Sequence, residues 1–176
     1  VLVDQFIASL RSLVRKRSSR RRAVDVDRLI RDVVQLAEMD SRMCDTSINL
    51  DLESSLPRVH ADPVQIQQVV LNLLLNGIEA MGCPDCGDKS LTVTARSAVD
   101  HSVQISIKDQ GAGISQEAEE SMFRSFFTTK ESGMGMGLAI SRSILNAHGG
   151  SLWFTRNTDR GTTFHLSIPT MVEDAQ

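Results

Sequence analysis

Gly133, Gly135 and Gly137 stand at alternate positions in "FFTTKESGMGMGLAI", directly ahead of an apolar segment with helical spacing. A glycine inside a helix costs about 1 kcal/mol relative to alanine, so such a ladder marks a place where something approaches the backbone closely. Backbone N–H groups exposed ahead of a helix make a site for phosphate, and Lys130 places a cation within reach of the same anion. A second candidate lies in "DPVQIQQVVLNLLLNGIEAM", which is apolar nearly all round except for Gln65, Gln68, Asn72, Asn76 and Glu79. Residues three and four apart stack on one helical face, so these five form a single polar stripe. A solvated face usually carries Lys and Glu. This one carries mainly amides, in a sector narrowed by Leu71, Leu73, Leu74 and Leu75, and an Asn carbonyl at position 76 suits a hard Mg2+ ion beside phosphate. The third candidate is "VQISIKDQGAGI", where Asp109 shares the parity of Val103, Ile105 and Ile107. Its carboxylate therefore points to the core side, where an unpaired charge costs several kcal/mol, and it needs a donor. Gly111 and Gly113 allow a tight turn and let a flat group lie against the backbone. A carboxylate accepting from an exocyclic amine, with glycines around the ring, is an adenine pocket in outline.

Taken singly, each signal has an ordinary reading. Asp and Gly populate turns everywhere, an amphipathic helix usually turns its polar stripe to water, and the glycine ladder is not the "GxGxxG" of a dinucleotide fold. The elements around the motifs narrow the choice. Phe6, Leu10, Leu13 and Val14 have helical spacing, and the helix they predict ends at the basic run "RKRSSRRR". Without interleaved aromatics that run reads as a solvated linker, with no nucleic-acid contact. From Asp25 onward Leu29, Val33, Leu36 and Met43 predict an amphipathic helix, followed by a strand at "SINLDL". Asp62 is a natural N-cap with Pro63 at the first helical position. Strands at "LTVTA" and "VQISI" precede a glycine turn and a short polar helix. After the glycine ladder come a helix to about His148, with Ile140, Ile144 and Ala147 on its apolar face, and strands at "SLWFT" and "TTFHLSI". Interleaved helices and adjacent strands predict a mixed sheet covered by helices.

The chain has 176 residues and a net charge of -3, enough for one domain with a real core. No apolar run reaches the ~18 residues of a membrane span. The start "VLVDQFIASL" lacks a signal-peptide layout and an initiator Met, so the chain is read as a piece of something longer, in the cytoplasm. Three cysteines do not make a disulfide framework; Cys83 and Cys86 in "CPDC" read as reduced surface thiols rather than a zinc site.

Taken in order, "NLLLNGIEAM", "DQGAGI", "MFRSFFTTK" and "GMGMGLAI" resemble the N, first glycine, phenylalanine and second glycine motifs of sensor histidine kinase catalytic domains. The resemblance spans about Ala23 to Pro169 and is strongest to the oxygen-sensing kinases of the rhizobial nitrogen-fixation type. It implies a Bergerat-type ATP-binding fold: an α/β (α+β) two-layer sandwich whose mixed, mostly antiparallel sheet is covered on one face by helices. By motif position it implies that Asn76 ligands Mg2+ and that Asp109 accepts from the adenine amine. It also implies that Gly111 and Gly113 shape the base pocket and that Lys130, Gly133, Gly135, Gly137 and Leu138 enclose the phosphates. Thr162 would support Asp109 through water, and Glu79 joins the nucleotide-facing stripe. Phe123, Phe126 and Phe127 would anchor the flanks of a lid.

Two departures bear on the reaction. Related gyrase, mismatch-repair and chaperone ATPases carry a Glu general base one turn before the Mg2+ Asn, where this chain has Asn72. An amide cannot take a proton from water, which favours phosphoryl transfer over hydrolysis. None of His60, His101, His148 and His165 lies on a helix like the family's phosphoacceptor. Residues 1–22 are therefore read as the end of a dimerising acceptor hairpin plus linker, and residues 23–176 as the catalytic domain. The expected partners are the acceptor-His domain of the same protein, a second copy through the hairpin, and a response regulator, with no membrane contact by this piece. The alternatives are a stand-alone ATPase or an anti-sigma-type Ser/Thr kinase on the same fold, or a nucleic-acid-binding module.

Overall fold

The computed structural model describes residues 20–82, 89–128 and 135–171. The expected first helix, Cys83 and Cys86, and Lys130 and Gly133 lie outside them. Five strands form the main sheet: β2 (Ser47–Leu52), β4 (Ser90–Ala98), β5 (Ser102–Lys108), β6 (Ser151–Arg156) and β7 (Thr162–Pro169), in the order β2-β4-β5-β7-β6. Only β2 and β4 run parallel. The inward rows, Leu91, Val93 and Ala95, then Val103, Ile105 and Ile107, then Leu166 and Ile168, are buried. The alternate rows are almost wholly polar (Thr92 and Thr94; Gln104 and Ser106; His165 and Ser167), so this period-2 pattern leaves the second face to solvent.

Of the four helices among the described residues, the three long ones cover the apolar face. The first, α1 (Val26–Met43), starts at Asp25, whose side chain accepts from the Arg28 N–H at 3.1 Å. Its buried face is Val26, Leu29, Ile30, Val33, Val34, Ala37 and Ser41. Leu36 and Met43, expected on that face, are 63% and 81% exposed, because the i, i+3, i+4 ladder that meets the sheet begins at Val26 and runs through Ile30 and Val34. The second, α2 (Pro63–Ala80), begins as the sequence predicts, with Asp62 accepting from Val64 N–H at 3.1 Å. Gly77 lets it sit close on the sheet: a Cβ there would stand 2.5 Å from Leu91 Cδ1. A short α3 (Gln116–Glu119) is capped by Ser115. On α4 (Gly137–Ala147) the core side is Ser141, Ile144 and Leu145, while Ala147 faces solvent.

Two short strands, β1 (Arg22–Val24) and β3 (Val59–Ala61), pair antiparallel as a separate ribbon. Three-residue strands carry too little periodicity to read from sequence. The ribbon sets Arg22 inside the folded unit, and the Arg21 guanidinium donates to the Ala147 carbonyl at the end of α4. Among the described residues no helix is long and apolar enough to cross a membrane.

Candidate functional site

Asp109 follows the last residue of β5 and keeps the inward parity of that strand. It is 3% exposed. Its Oδ1 accepts from Gly111 N–H at 2.8 Å and from Thr162 N–H at 3.2 Å. Both of these donors land on Oδ1. Burial pushes the carboxyl above the ordinary carboxylate value, against the opposing pull of those backbone N–H groups. Beside it the Thr162 hydroxyl, on a residue 2% exposed, is buried with no hydrogen-bond partner. A native interior seldom leaves such groups unpaired without a ligand or water to meet them.

The β6–β7 turn holds this carboxylate in place. Asn157 Nδ2 donates to the Asp109 carbonyl and to the Arg160 carbonyl, both at 2.8 Å, and its Oδ1 accepts from Thr163 Oγ1. Gly161 has φ +83, and a Cβ there would stand 2.2 Å from Asp109 O. Sequence reasoning missed Asn157 and Gly161. Their signal was the turn chemistry of "NTDRG" between two strands, which looks like an ordinary hairpin until its neighbour is known.

The glycines after Asp109 differ in what they do. A Cβ on Gly111 would collide with the Ala80 carbonyl at 2.5 Å, so this glycine lets the turn pack on the end of α2. Gly113 has φ +79, and a Cβ there would meet only Gly161 O, at 3.8 Å, among the described residues, so glycine here serves the backbone conformation. The amide stripe of α2 lies alongside. A Cβ on Gly77 would be 3.6 Å from Asp109 Cβ, so α2 packs beside the carboxylate. Gln65, Gln68, Asn72 and Asn76 are half-buried rather than water-facing, and Glu79 alone is exposed.

The described part of the glycine ladder meets protein. Gly135, at φ +64, presses on the Phe126–Phe127 backbone, where a Cβ would stand 2.4 Å from Phe127 O. Its carbonyl accepts from Phe126 N–H at 2.9 Å, pinning one flank of the stretch to the other. Gly137 presses on the Asn72 amide. Leu138, Phe123 and Phe127 pack against the core, and Arg142 sits 5.1 Å over the Phe123 ring. The Phe126 side chain, expected as an anchor, is 77% exposed; its backbone, at φ +68, makes the contact instead.

The histidines all have structural settings. His60 is exposed in β3, and His101 occupies the β4–β5 turn at φ +56. His148 is buried, its Nε2 accepting from Asp62 N–H and its Nδ1 donating to the Ile144 carbonyl. His165 lies between Ser106 and Thr155 hydroxyls, stacked on Trp153, and burial lowers its pKa.

A sandwich with its candidate site residues on the sheet end, one helix and a glycine-rich flank defines a class. The profile described as histidine kinase-, DNA gyrase B-, and HSP90-like ATPase matches residues 61–171, and the chain belongs to that family. Within it the likeness is to sensor kinases. The chain is 36% identical to the sensor protein FixL of Bradyrhizobium diazoefficiens, over 97% of this chain and 33% of that one. It is 34% identical to the sensor histidine kinase ZraS of Escherichia coli, over 95% of this chain and 35% of that one. The chain thus spans about a third of these relatives. Among solved structures, the nucleotide-free catalytic domain of the histidine kinase ThkA superposes with a TM-score of 0.75 at 32% identity, covering 85% of this chain and 95% of that one. Full-length ShkA in complex with AMPPNP superposes with a TM-score of 0.80 at 25% identity, covering 99% of this chain and 36% of that one. The chain is a histidine-kinase ATP-binding catalytic domain.

Asp109→Asn keeps an oxygen for both backbone donors while removing the buried charge. Because the folded carboxyl titrates above its unfolded value of 3.8, its favourable contribution is present below that value and is lost as pH rises through the folded pKa. Thermal unfolding of both proteins from about pH 4 to about pH 7 should therefore show the Asn variant gaining on wild type as pH rises. A gap that does not change with pH would contradict the assignment.

Proposed function

We propose that this domain positions Mg2+-ATP and delivers the γ-phosphoryl group to a histidine on an upstream domain of a longer protein, for relay to a response regulator. The observation that carries the reading is the buried Asp109 carboxylate, with the Gly111 and Thr162 N–H groups both on Oδ1, beside the Thr162 hydroxyl that has no hydrogen-bond partner among the described residues. That pair matches the needs of an adenine edge. The carboxylate accepts from the exocyclic amine, and the hydroxyl meets a ring nitrogen through water. An AMPPNP complex of ShkA and a complex of ThkA with the response regulator TrrA support the ligand and the partner by analogy.

The metal reading rests on donor chemistry. Among the described residues no group of three His, Cys, Asp or Glu stands together, so a Mg2+ ion here would draw most of its oxygens from phosphate and water. Asn76 supplies a neutral oxygen on the half-buried stripe next to the pocket. When bound, the ion would neutralise charge on the transferring phosphoryl group. Lys130, Gly133 and Gly135 complete the proposed phosphate enclosure. Transfer of this kind is mostly positioning and electrostatics. Asn72 stands where a hydrolase would need a base, and an amide cannot serve as one, so water at the γ-phosphate stays unactivated.

Asn76→Ala should weaken ATP binding by about tenfold in Mg2+ and by much less in EDTA, as read by calorimetry. Equal losses in both would make Asn76 a support of α2 rather than a metal ligand. Incubated with labelled ATP and Mg2+, this chain should bind nucleotide without labelling itself and release phosphate slowly. A hairpin fragment bearing the acceptor histidine should then take up label in acid-labile, base-stable form. Acid-stable label on this chain, or rapid phosphate release without a partner, would favour the Ser/Thr kinase or ATPase alternative.

A further inference from the structure

Asn72 is already engaged within the protein. Its Nδ2 donates to Ser141 Oγ at 3.1 Å, and Ser141, one turn inside α4, is 2% exposed. On the other side a Cβ on Gly137 would lie 2.3 Å from Asn72 Oδ1 and 3.0 Å from its Cγ, so the amide rests against the first residue of α4. The opposite ends of the two helices are joined by the Asp62 N–H to His148 Nε2 bond at 3.1 Å. Position 62 faces 148 and position 72 faces 141, so α2 and α4 run antiparallel, and the N-terminus of α4 comes to rest one turn from Asn76. Apolar contacts such as Leu145 and Ile144 hold the helices together but tolerate sliding. A directional amide–hydroxyl bond fixes one axial position.

We propose that Asn72 and Ser141 form a clasp that sets the N-terminus of α4 relative to Asn76, making both of them positioning residues for the phosphate-bearing part of the nucleotide. The inference rests on the ATP reading above. The favourable field of a helix N-terminus falls off within its first turn, so a small slip of α4 withdraws its N–H groups from the phosphates. The adenine contacts at Asp109 and Thr162 belong to the sheet and the β6–β7 turn, and do not move with α4.

The test compares Mg2+-ATP, by calorimetry, with adenosine, by ligand-observed NMR, on the full chain. Ser141→Ala should weaken Mg2+-ATP about tenfold and adenosine less than about twofold. The double variant Asn72→Leu with Ser141→Ala leaves no buried polar group unpaired. It should recover the melting temperature without recovering ATP affinity. The clasp is overturned if Ser141→Ala binds Mg2+-ATP within about twofold of wild type, if adenosine weakens as much as ATP, or if the double variant restores ATP affinity. A wild-type chain that binds no Mg2+-ATP would instead remove the nucleotide reading on which the clasp depends.

Discussion

A single buried carboxylate constrains most of this site. Holding Asp109 inside a sheet end opposes the hydration of its charge, and the fold answers with two backbone N–H groups on one oxygen. Those donors dictate local sequence. Gly111 must let the turn close on the end of α2, and Gly161 must adopt a positive φ where a Cβ would stand 2.2 Å from the Asp109 carbonyl oxygen. Asn157 then closes the turn from the other side. The Thr162 hydroxyl beside the carboxylate is left without a hydrogen-bond partner among the described residues, and in the proposed function the two meet a ligand edge, so that stability is traded for recognition.

The helix α2 carries that constraint outward. Its Gly77 lies on the sheet against Leu91 and Asp109, and its Asn72 ties α4. In the proposed function, packing against the sheet makes α2 the fixed reference for both ends of a nucleotide, with the base set from β5 and β7 and the phosphates set from α4. The Asn72–Ser141 and His148 bonds hold α4 at two heights, and the Phe126 N–H to Gly135 carbonyl bond joins the described flanks of the glycine-rich stretch.

The legible parts of the sequence were those where local chemistry and global fold agree. Asp62 and Pro63 start α2 as written, and the alternation through Val103, Ile105 and Ile107 places Asp109 inward without any structure. The five strands of the sheet are legible from the same alternation, while its mostly antiparallel order was implied by the family resemblance. What stayed hidden depends on distant partners. The glycines at 135 and 137 read as phosphate-facing, yet each also admits a protein neighbour, the Phe126–Phe127 backbone and the Asn72 amide. Leu36 and Met43 match a helical period as well as the true core face does, and only the angle at which α1 meets the sheet decides between them. The β1–β3 ribbon is too short to show a period at all.

The central claim is that Asp109 reads the amine of adenine. It is tested most directly by measuring ATP and purine riboside triphosphate, which lacks the 6-amino group, against wild type and Asp109→Ala. The account predicts that wild type loses about tenfold or more in affinity when the amine is removed, that the variant loses almost nothing, and that the coupling is about 1.5–3 kcal/mol. Equal losses in both proteins would show that the carboxylate and the amine do not meet, and would contradict the account.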